Sequence, residues 1–590
     1  MSKSLKLTKT ADFTKVPVLE KLVLEDCINL CEIHPSIGVH EKLTLLNLKG
    51  CENLKSLPNK VEMKSLGVLI LSNCSKVKRI PEFGENMECV SKLYLDGTSI
   101  TKLPTSIGNL IGLASLSVRD CKSLMSFPST LFNLKSLKNL DLFGCSKLGK
   151  LLENLGIAKS VEELDVSGTS IGPMLSLNAL FITLKKLAFG GFIPRNPNPM
   201  GVLSTSLAGL CSLTQLNLSY CNLNAIPNDI CCLFSLERLD LSGNNFGCLP
   251  EGISQLSILR HLTLENCTSL RSLPKLPLNI GYIWGFGCTS LETVQDLLKP
   301  NSSIAPILLL SDCNKLAENK GFIDMFFAVM KRSLKVSLSL SLSLSLSLFV
   351  CMHVLNNICC MFQGLSVDNI YQMVIPGSEI LEWFSHQSRG TEVHIKEPSS
   401  HLCNEWMGIA VSVVFCYNPH QFDYSISFLN RRQTHYRGSI LCWLIVNGKK
   451  MSPAASTVTI GVLSDHNWLL YFLPQYREKD IKSLWERDVN GFGEIGIRIK
   501  THSLEVKKCG LRMVYKKDIE DLNGTMAQSS NNSIIPYEGL DIPYHNSDNS
   551  TVVTVGNKAK RNRDDFDGAG PNGEGSSNDI PNPKRIERFP

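Results

Sequence analysis

The sequence predicts an α/β solenoid of parallel strands, followed by an all-β sandwich of the jelly-roll or immunoglobulin-like kind and a disordered tail. Three observations predict this order. A line of leucines recurs through the first half of the chain, short β-rich runs fill the region from about 363 to 520, and residues 521–590 are polar with few apolar anchors. Because 590 residues are too many for one ordinary hydrophobic core, several structural units are expected.

The repeated line is clearest in LTLLNLKGCENLKSLP, from Leu43 to Pro58. It matches L-x-x-L-x-L-x-x-N/C-x-L, the signature of a leucine-rich repeat, whose alternate leucines point inward from a short strand. One repeat cannot bury its apolar face alone, so neighbouring repeats stack. Residues 1–292 are therefore predicted to form a parallel-strand horseshoe of about twelve repeats. The central leucine-type positions are Leu22, Leu46, Leu69, Leu93, Leu116, Leu140, Leu164, Leu187, Leu216, Leu239, Leu262 and Ile283.

One step of the repeat is longer than the others. The 29 residues between Leu187 and Leu216 include FGGFIPRNPNPMGVLS. Its prolines and glycines predict a loop that leaves the array.

The cysteines follow the repeat. Eight of the 22 cysteines hold its N/C position, where Asn244, Thr98 and Thr169 stand in other repeats. Their spacing of about 23 residues is unlike the C-x-x-C spacing of metal sites, so buried packing thiols are expected. No N-terminal signal peptide is visible, which predicts a reducing compartment. The eight are Cys27, Cys51, Cys74, Cys121, Cys145, Cys221, Cys267 and Cys288.

The outward positions of the strands are the candidate binding residues, because solenoids commonly bind partners on the concave strand face. Aromatic and arginine side chains among them are typical of protein interfaces. Any single one is also explained as an ordinary solvated strand residue, whereas the face as a whole favours partner binding. The candidates are Lys49, Tyr94, Asp96, Arg119, Asp141, Phe143, Tyr220, Arg238, His261 and Glu265.

The repeat pattern stops after Cys288, and residues 293–335 are predicted to be a cap and connector with a short helix from Gly321 to Lys335. Residues 336–362 begin with a Ser-Leu low-complexity tract. Its strict alternation fits an amphipathic strand, and its uncharged length fits a membrane span. We favour a third interpretation, a retained intron, because a CT dinucleotide repeat read in frame encodes Ser-Leu.

Residues 363–520 contain nine β-rich runs between turn residues, which predicts the sandwich. Within it, VIPGSEILEWF from Val374 to Phe384 resembles the opening of the post-repeat C-terminal jelly-roll/Ig-like domain (C-JID) of plant TIR-type nucleotide-binding leucine-rich-repeat disease-resistance proteins. Leu381 departs from that family, which usually has proline there. The motif residues are Ile375, Pro376, Gly377, Ser378, Glu379, Trp383 and Phe384.

The resemblance implies a pathogen-recognition function in plant defence: binding of an effector, or of a host protein that the effector alters, through the concave face and the C-terminal domain. A full-length receptor is a further partner it suggests. No G-x-x-x-x-G-K-[ST] loop occurs and no TIR module precedes the repeats, so nucleotide switching and NAD cleavage do not carry over. We therefore expect a truncated gene model or a receptor fragment. The alternative is a general intracellular leucine-rich-repeat scaffold for signalling proteins.

The sequence predicts no enzyme, cofactor or metal site. His386, His394, His401 and Cys403 fit no zinc spacing, and no G-x-S-x-G elbow occurs. A net charge of +6 indicates no nucleic-acid surface for a chain of this length. We expect a cytoplasmic protein, held at a membrane only if residues 336–362 span one.

Nuclear import is an open alternative for the tail, because basic clusters act as import signals as well as solvated segments. The clusters are Lys558, Lys560, Arg561 and Arg563, then Lys584, Arg585 and Arg588.

Overall fold

The structure is a computed structural model that describes residues 2–148, 160–169, 183–191, 209–294, 307–318, 327, 370–398, 406–417, 437–460, 464–472, 492–518 and 521. The predicted Ser-Leu tract, the extruded loop from 192 onwards and the basic clusters of the tail lie outside these residues. Of the predicted helix 321–335, Phe327 alone is described, and it is helical.

Thirteen short strands pair in parallel along one face of the repeat region. Each of the twelve predicted leucine-type positions is the central residue of one strand, and successive positions pair directly, as Leu22 does with Leu46. The strands of this face are β1 (Lys21–Val23), β2 (Leu45–Asn47), β4 (Val68–Ile70), β6 (Lys92–Tyr94), β7 (Ser115–Ser117), β8 (Asn139–Asp141), β9 (Glu163–Asp165), β10 (Lys186–Ala188), β11 (Gln215–Asn217), β12 (Arg238–Asp240), β13 (His261–Thr263), β15 (Tyr282–Trp284) and β17 (Ile307–Leu309).

The thirteenth strand corrects the predicted end of the solenoid at residue 292. β17 lies in the segment assigned to the cap, yet it pairs in parallel with β15, and Leu308 is opposite Ile283. Cys313 then holds the N/C position and donates its thiol hydrogen to Gly285 O at 3.0 Å. The run ILLLSDCNKL carries this coil. It was overlooked because its leucines are contiguous rather than spaced.

The opposite, convex side consists of one-turn 3₁₀ helices and short strand pairs in the described residues, with few α-helices. Proline precedes four of the five 3₁₀ helices and fixes φ near −65°, which suits the entry to a short turn. The 3₁₀ helices are Pro35–Val39, Thr105–Asn109, Ser129–Asn133, Asn228–Cys232 and Glu251–Gln255. The strand pairs are β3 (Lys60–Val61) with β5 (Glu82–Phe83), and β14 (Ser272–Leu273) with β16 (Thr293–Val294); an α-helix, α1, spans Asn314–Glu318.

The C-terminal region forms two antiparallel sheets. One has the order β19-β26-β21-β24-β18 and the other β20-β25-β22-β23. The strands are β18 (Ile370–Pro376), β19 (His386–Arg389), β20 (Glu392–Pro398), β21 (Trp406–Tyr417), β22 (Arg437–Val446), β23 (Lys449–Ile460), β24 (His466–Phe472), β25 (Phe492–His502) and β26 (Leu504–Tyr515). β19 was absent from the sequence prediction because HQSR carries no apolar alternation.

The solenoid sheet continues into the sandwich. β17 pairs in parallel with β18, with Leu309 opposite Val374, and Leu310 N–H donates to Val374 O at 3.0 Å. All seven residues of β24 are buried because its two faces enter different cores. Leu469 packs with the solenoid core, whereas Trp468 packs between the two sheets. Among the described residues, no helix is long and apolar enough to cross a membrane.

Candidate recognition face

The outward side chains of strands β6 to β15 line one continuous concave cavity, which we call the concave face. Six of the predicted binding residues line it, and four do not. Those that line it are Tyr94, Asp96, Arg119, Asp141, Arg238 and His261. The four that lie outside this lining are Lys49, Phe143, Tyr220 and Glu265.

An arginine network organises the N-terminal part of the face. Arg119 Nη1 lies 2.6 Å from Asp141 Oδ2 and 3.8 Å from Asp165 Oδ2, and its guanidinium is 4.2 Å from the ring centre of Phe143. Burial raises the pKa of Asp141, against the opposing effect of Arg119. Neighbouring side chains of the same chain therefore fix the position of Arg119. Its guanidinium stabilises this part of the surface and is also accessible to a partner.

A polar residue ends many of the strands for a structural reason. Its side-chain oxygen accepts the backbone N–H two residues further on, which closes the turn after the strand. The acceptors are Asn47, Asp141, Asp165, Asn217 and Asp240, with N···O distances of 2.8 to 3.1 Å. Either asparagine or aspartate serves this purpose, so a carboxylate at the position is free to have a second role.

The C-terminal part of the face is aromatic. The rings of His261 and Tyr282 stack in parallel with their centres 4.8 Å apart. Trp284, two residues further along β15, is 45% exposed. Burial lowers the pKa of His261, and Arg238 and Arg260 add to this, so the ring is neutral at pH 7. Sequence reasoning missed Tyr282 and Trp284, although the alternation around Ile283 in GYIWGF marks both as outward.

Tyr220 is not an outward strand residue, contrary to the prediction. It lies four residues after the central Leu216, at a turn with φ 54°. The other twelve coils place glycine, asparagine or aspartate there, which are the residues that tolerate a positive φ. These are Asp26, Gly50, Asn73, Gly97, Asp120, Gly144, Gly168, Gly191, Gly243, Asn266, Gly287 and Asp312. The tyrosine reaches the rim of the face at a conformational cost that its neighbours avoid.

The remaining predicted residues have local partners. Lys49 Nζ lies 2.9 Å from Glu25 Oε1 at the N-terminal end of the array. Glu265 is half-buried, and its backbone N–H donates to Ser242 Oγ at 3.2 Å. Both are three residues beyond a central leucine, at the edge of the strand face.

The VIPGSEILEWF motif forms the corner between solenoid and sandwich. Ile375 and Pro376 end β18, Ser378 is exposed, and Gly377 N–H donates to Asp465 O at 2.9 Å. Glu379 O accepts from Asn467 Nδ2 at 3.1 Å.

The aromatic end of the motif packs against Arg512 and Phe327. Arg512 Nη1 donates to Trp383 O at 2.5 Å, and its guanidinium lies 4.7 Å from the centre of the Trp383 ring. Phe384 is 2% exposed, and Phe327 packs edge-on against Trp383 with ring centres 5.2 Å apart. Trp383 and Phe384 therefore pack at the joint between solenoid and sandwich.

Comparison with protein families assigns both regions. Residues 375–520 match the C-JID domain. Residues 62–169 match the leucine-rich repeats described as "Disease resistance protein RPS4B-like", and residues 212–233 and 235–256 match the general leucine-rich repeat.

Relatives with similar sequences carry disease-resistance names. The chain is 34% identical to the disease resistance-like protein DSC1 of Arabidopsis thaliana, over 68% of this chain and 26% of that protein. It is 30% identical to TMV resistance protein N of Nicotiana glutinosa, over 88% of this chain and 42% of that protein. The chain thus spans less than half the length of these relatives. Among solved structures, the LRR protein LIC12759 of Leptospira interrogans is similar at 20% identity and a TM-score of 0.22, over 48% of this chain and 88% of that chain.

The strand registers and the concave face define a leucine-rich-repeat protein whose last coil is capped by a β-sandwich. The family matches and the named relatives then identify the family. The chain belongs to the plant TIR-type nucleotide-binding leucine-rich-repeat disease-resistance proteins, of which it carries the leucine-rich-repeat and C-JID regions.

Proposed function

We propose that this chain recognises a pathogen effector, or a host protein that an effector alters, as the recognition part of a plant intracellular immune receptor. The observation that carries this function is the concave face, a continuous surface of aromatic, cationic and anionic side chains on strands β6 to β15. Aromatic and charged side chains on a rigid scaffold are suited to binding a protein.

The joint with the sandwich supports a composite binding surface. Because β17 and β18 are hydrogen-bonded neighbours, the face and the C-JID domain are parts of one sheet system. A partner that touches both would meet a surface whose relative geometry is already set, which lowers the entropy cost of binding. The C-JID match also favours this function over a general signalling scaffold, which has no reason to carry that domain.

The same proposal assigns no chemical step and no cofactor to this chain. It acts by binding, in the cytoplasm, with nuclear entry wherever the basic clusters of the tail serve as import signals. The proposal includes a full-length receptor of the family as a second partner.

The test compares two four-residue variants in infected leaf tissue. Partners are captured by proximity labelling, then purified and titrated against each variant. Arg119 is kept because its removal would leave the half-buried Asp141 carboxylate without its cation. The face variant replaces Tyr94, Lys186, His261 and Tyr282 with alanine. The control variant replaces four exposed residues outside the cavity lining, Ile111, Met125, Phe234 and Ile258, with alanine.

We expect the face variant to weaken the purified partner's Kd at least tenfold and the control variant to change it less than twofold. Both variants should unfold within a few degrees of the wild type. Equal affinity of the wild type and the face variant for every captured partner would refute binding through the concave face.

A further inference from the structure

Three side chains form a row across neighbouring strands at the C-terminal part of the concave face. Asp240, Thr263 and Trp284 are the last residues of β12, β13 and β15, and they are directly paired in register. Strands lie about 4.8 Å apart, so the carboxylate and the indole stand roughly 10 Å apart at their bases. The small Thr263 between them leaves a notch, which we call the Asp240–Trp284 notch.

The acidic wall of the notch keeps one oxygen available. Asp240 Oδ1 accepts from Ser242 N–H at 3.0 Å and from Ser242 Oγ at 2.6 Å. Within the described part of the chain, Oδ2 has no hydrogen bond and Asp240 has no ion pair. Burial raises the pKa of this carboxyl, which means that its charge is poorly solvated. A cation entering the notch would replace the missing solvation.

The other walls are aromatic. Trp284 is nearly half exposed, and the stacked His261 and Tyr282 rings flank the row two residues earlier on β13 and β15. An indole face attracts a cation, and a planar guanidinium stacks on it better than an ammonium does. The same guanidinium donates two parallel hydrogen bonds to a carboxylate.

We propose that the Asp240–Trp284 notch binds the guanidinium of an arginine on the partner protein, stacked on Trp284 and hydrogen-bonded to Asp240. This assignment depends on the proposed function, because it gives the chemistry of one contact within that interface. It predicts a partner with an exposed arginine beside apolar residues.

Arg238 provides an internal check. It is exposed, lies two residues before Asp240 on the same strand face, and has no ion pair among the described residues. Like charges repel, so Arg238 should oppose an incoming arginine. Arg238→Ala is therefore expected to strengthen binding of an arginine side chain. If Arg238 instead contacted the partner favourably, the same change would weaken binding.

The probe is a peptide selected from a random twelve-residue phage library on the purified full chain. We expect arginine at one invariant position of the selected peptides. Replacing it with citrulline, a neutral isostere, should weaken the Kd at least tenfold. Asp240→Asn should also weaken the Kd of the arginine peptide at least tenfold. In this variant the arginine and citrulline peptides should bind equally, because both changes remove the same guanidinium–carboxylate contact.

The matched control is Asp165→Asn, which changes the equivalent carboxyl three strands away and leaves the notch intact. Asparagine serves natively at this strand position in Asn47 and Asn217, so both variants should keep the turn. Asp240→Asn should unfold at the same temperature as the wild type or higher, since it removes a poorly solvated charge.

The outcomes separate the notch from the wider function. Peptides without a common arginine, or peptides that bind Asp240→Asn and Trp284→Ala as tightly as wild type, would overturn the notch. If the face variant (Tyr94, Lys186, His261 and Tyr282 to alanine) then abolishes their binding, partner recognition by the concave face still stands. Peptides that bind the face variant normally, or a library that yields no binder, would count against both.

Discussion

A single residue, Tyr220, departs from the conformational rule that its twelve counterparts obey. A non-glycine residue in the left-handed region costs roughly 1–2 kcal/mol, and bulky residues are rare there. The ring recovers part of this cost, because it lies across Gly243 of the next coil and its hydroxyl accepts from Asn266 Nδ2 at 3.3 Å. Strained positions concentrate at functional sites, which keeps Tyr220 a binding prediction at the rim.

This packing makes Gly243 intolerant of a side chain. A Cβ on Gly243 would lie 2.2 Å from Tyr220 Cδ1, and φ there is 65°. We expect Gly243→Ala to lower the free energy of unfolding by about 2 kcal/mol or more, from strain and clash together. In a Tyr220→Asn background the cost should fall to about 1 kcal/mol, measured by urea unfolding.

Gly191 is the matched control for this cycle. Its φ is 69° and a Cβ there would meet no atom within 4 Å in the described structure. Gly191→Ala should therefore cost about 1 kcal/mol in either background, from backbone strain alone. A Gly243→Ala cost that does not change when Tyr220 is replaced would show that the ring does not rest on Gly243.

At the scale of one element, the coil turns are closed by a ladder of side-chain hydrogen bonds. Cysteine thiols donate to a carbonyl of the preceding coil, with S···O distances between 3.0 and 3.4 Å. Asn244 Nδ2 donates to Leu218 O of the preceding coil at 2.9 Å and to Leu241 O of its own coil at 2.7 Å. Thr98 and Thr169 bond within their own turns. A small, buried donor is the shared requirement.

The ladder thiols should be chemically inert in the folded protein. Burial raises the pKa of Cys51 to about 11 and that of Cys145 to about 12, so almost no thiolate forms at pH 8. Brief iodoacetamide treatment should modify the exposed Cys89 and Cys248 and spare the ladder until urea is added. Peptide mass spectrometry reads each site. Labelling of Cys145 as fast as Cys89 would contradict the buried ladder.

At the scale of the whole molecule, a buried histidine joins the two regions. His466 Nε2 accepts the backbone N–H of Asp312 at 2.9 Å, and Nδ1 donates to Ser464 O at 2.8 Å. Asp312 is the turn residue of the last coil and His466 begins β24, so this ring connects solenoid to sandwich. The bond from Asp312 requires the neutral ring, because a protonated Nε2 has no lone pair to accept with, whereas Nδ1–H donates to Ser464 O in either form.

The joint should therefore weaken in mild acid. Burial lowers the pKa of His466 below its ordinary value of 6.5, against the opposing effects of Asp312 and Asp465, and Lys507 pairs with Asp465 at 2.6 Å. Because the folded pKa of His466 is lowered, this residue does not change the free energy of unfolding with pH above about 6.5. Stability then falls as the pH drops from 6.5 towards the folded value, because the unfolded chain takes up the proton first.

A glutamine at this position tests the titration. The amide oxygen of His466→Gln still accepts from Asp312 but takes up no proton, so its free energy of unfolding should fall less than that of the wild type between pH 7 and 5.5. The difference is at most about 1.4 kcal/mol, the value of the one pH unit between 6.5 and 5.5. Urea unfolding at the two pH values measures this. His261→Gln controls for a half-buried histidine elsewhere. Equal losses in wild type and His466→Gln would remove His466 as the cause.

Local order along the chain was predictable, because it depends on residues close in sequence. The leucine period placed the centres of twelve strands, and the apolar alternation of IAVSVVF placed β21. The thirteenth coil and β19 were missed because ILLL and HQSR lack the spacing that marks a buried strand face. Tyr220 was placed on the face because a solvent-exposed tyrosine has no pattern that distinguishes a strand from a turn.

By itself, the sequence determined the coil register, the ladder and the family signature, since each repeats or clusters within about 24 residues. Only the tertiary structure decided what lies together across the sheet. Asp240 and Trp284 are 44 residues apart and lie in one row because three successive coils stack. His466 meets Asp312 across 154 residues because β24 is carried to the last coil by its pairing with β18. Such contacts depend on how distant strands pair, and a pattern of neighbouring residues does not predict that pairing.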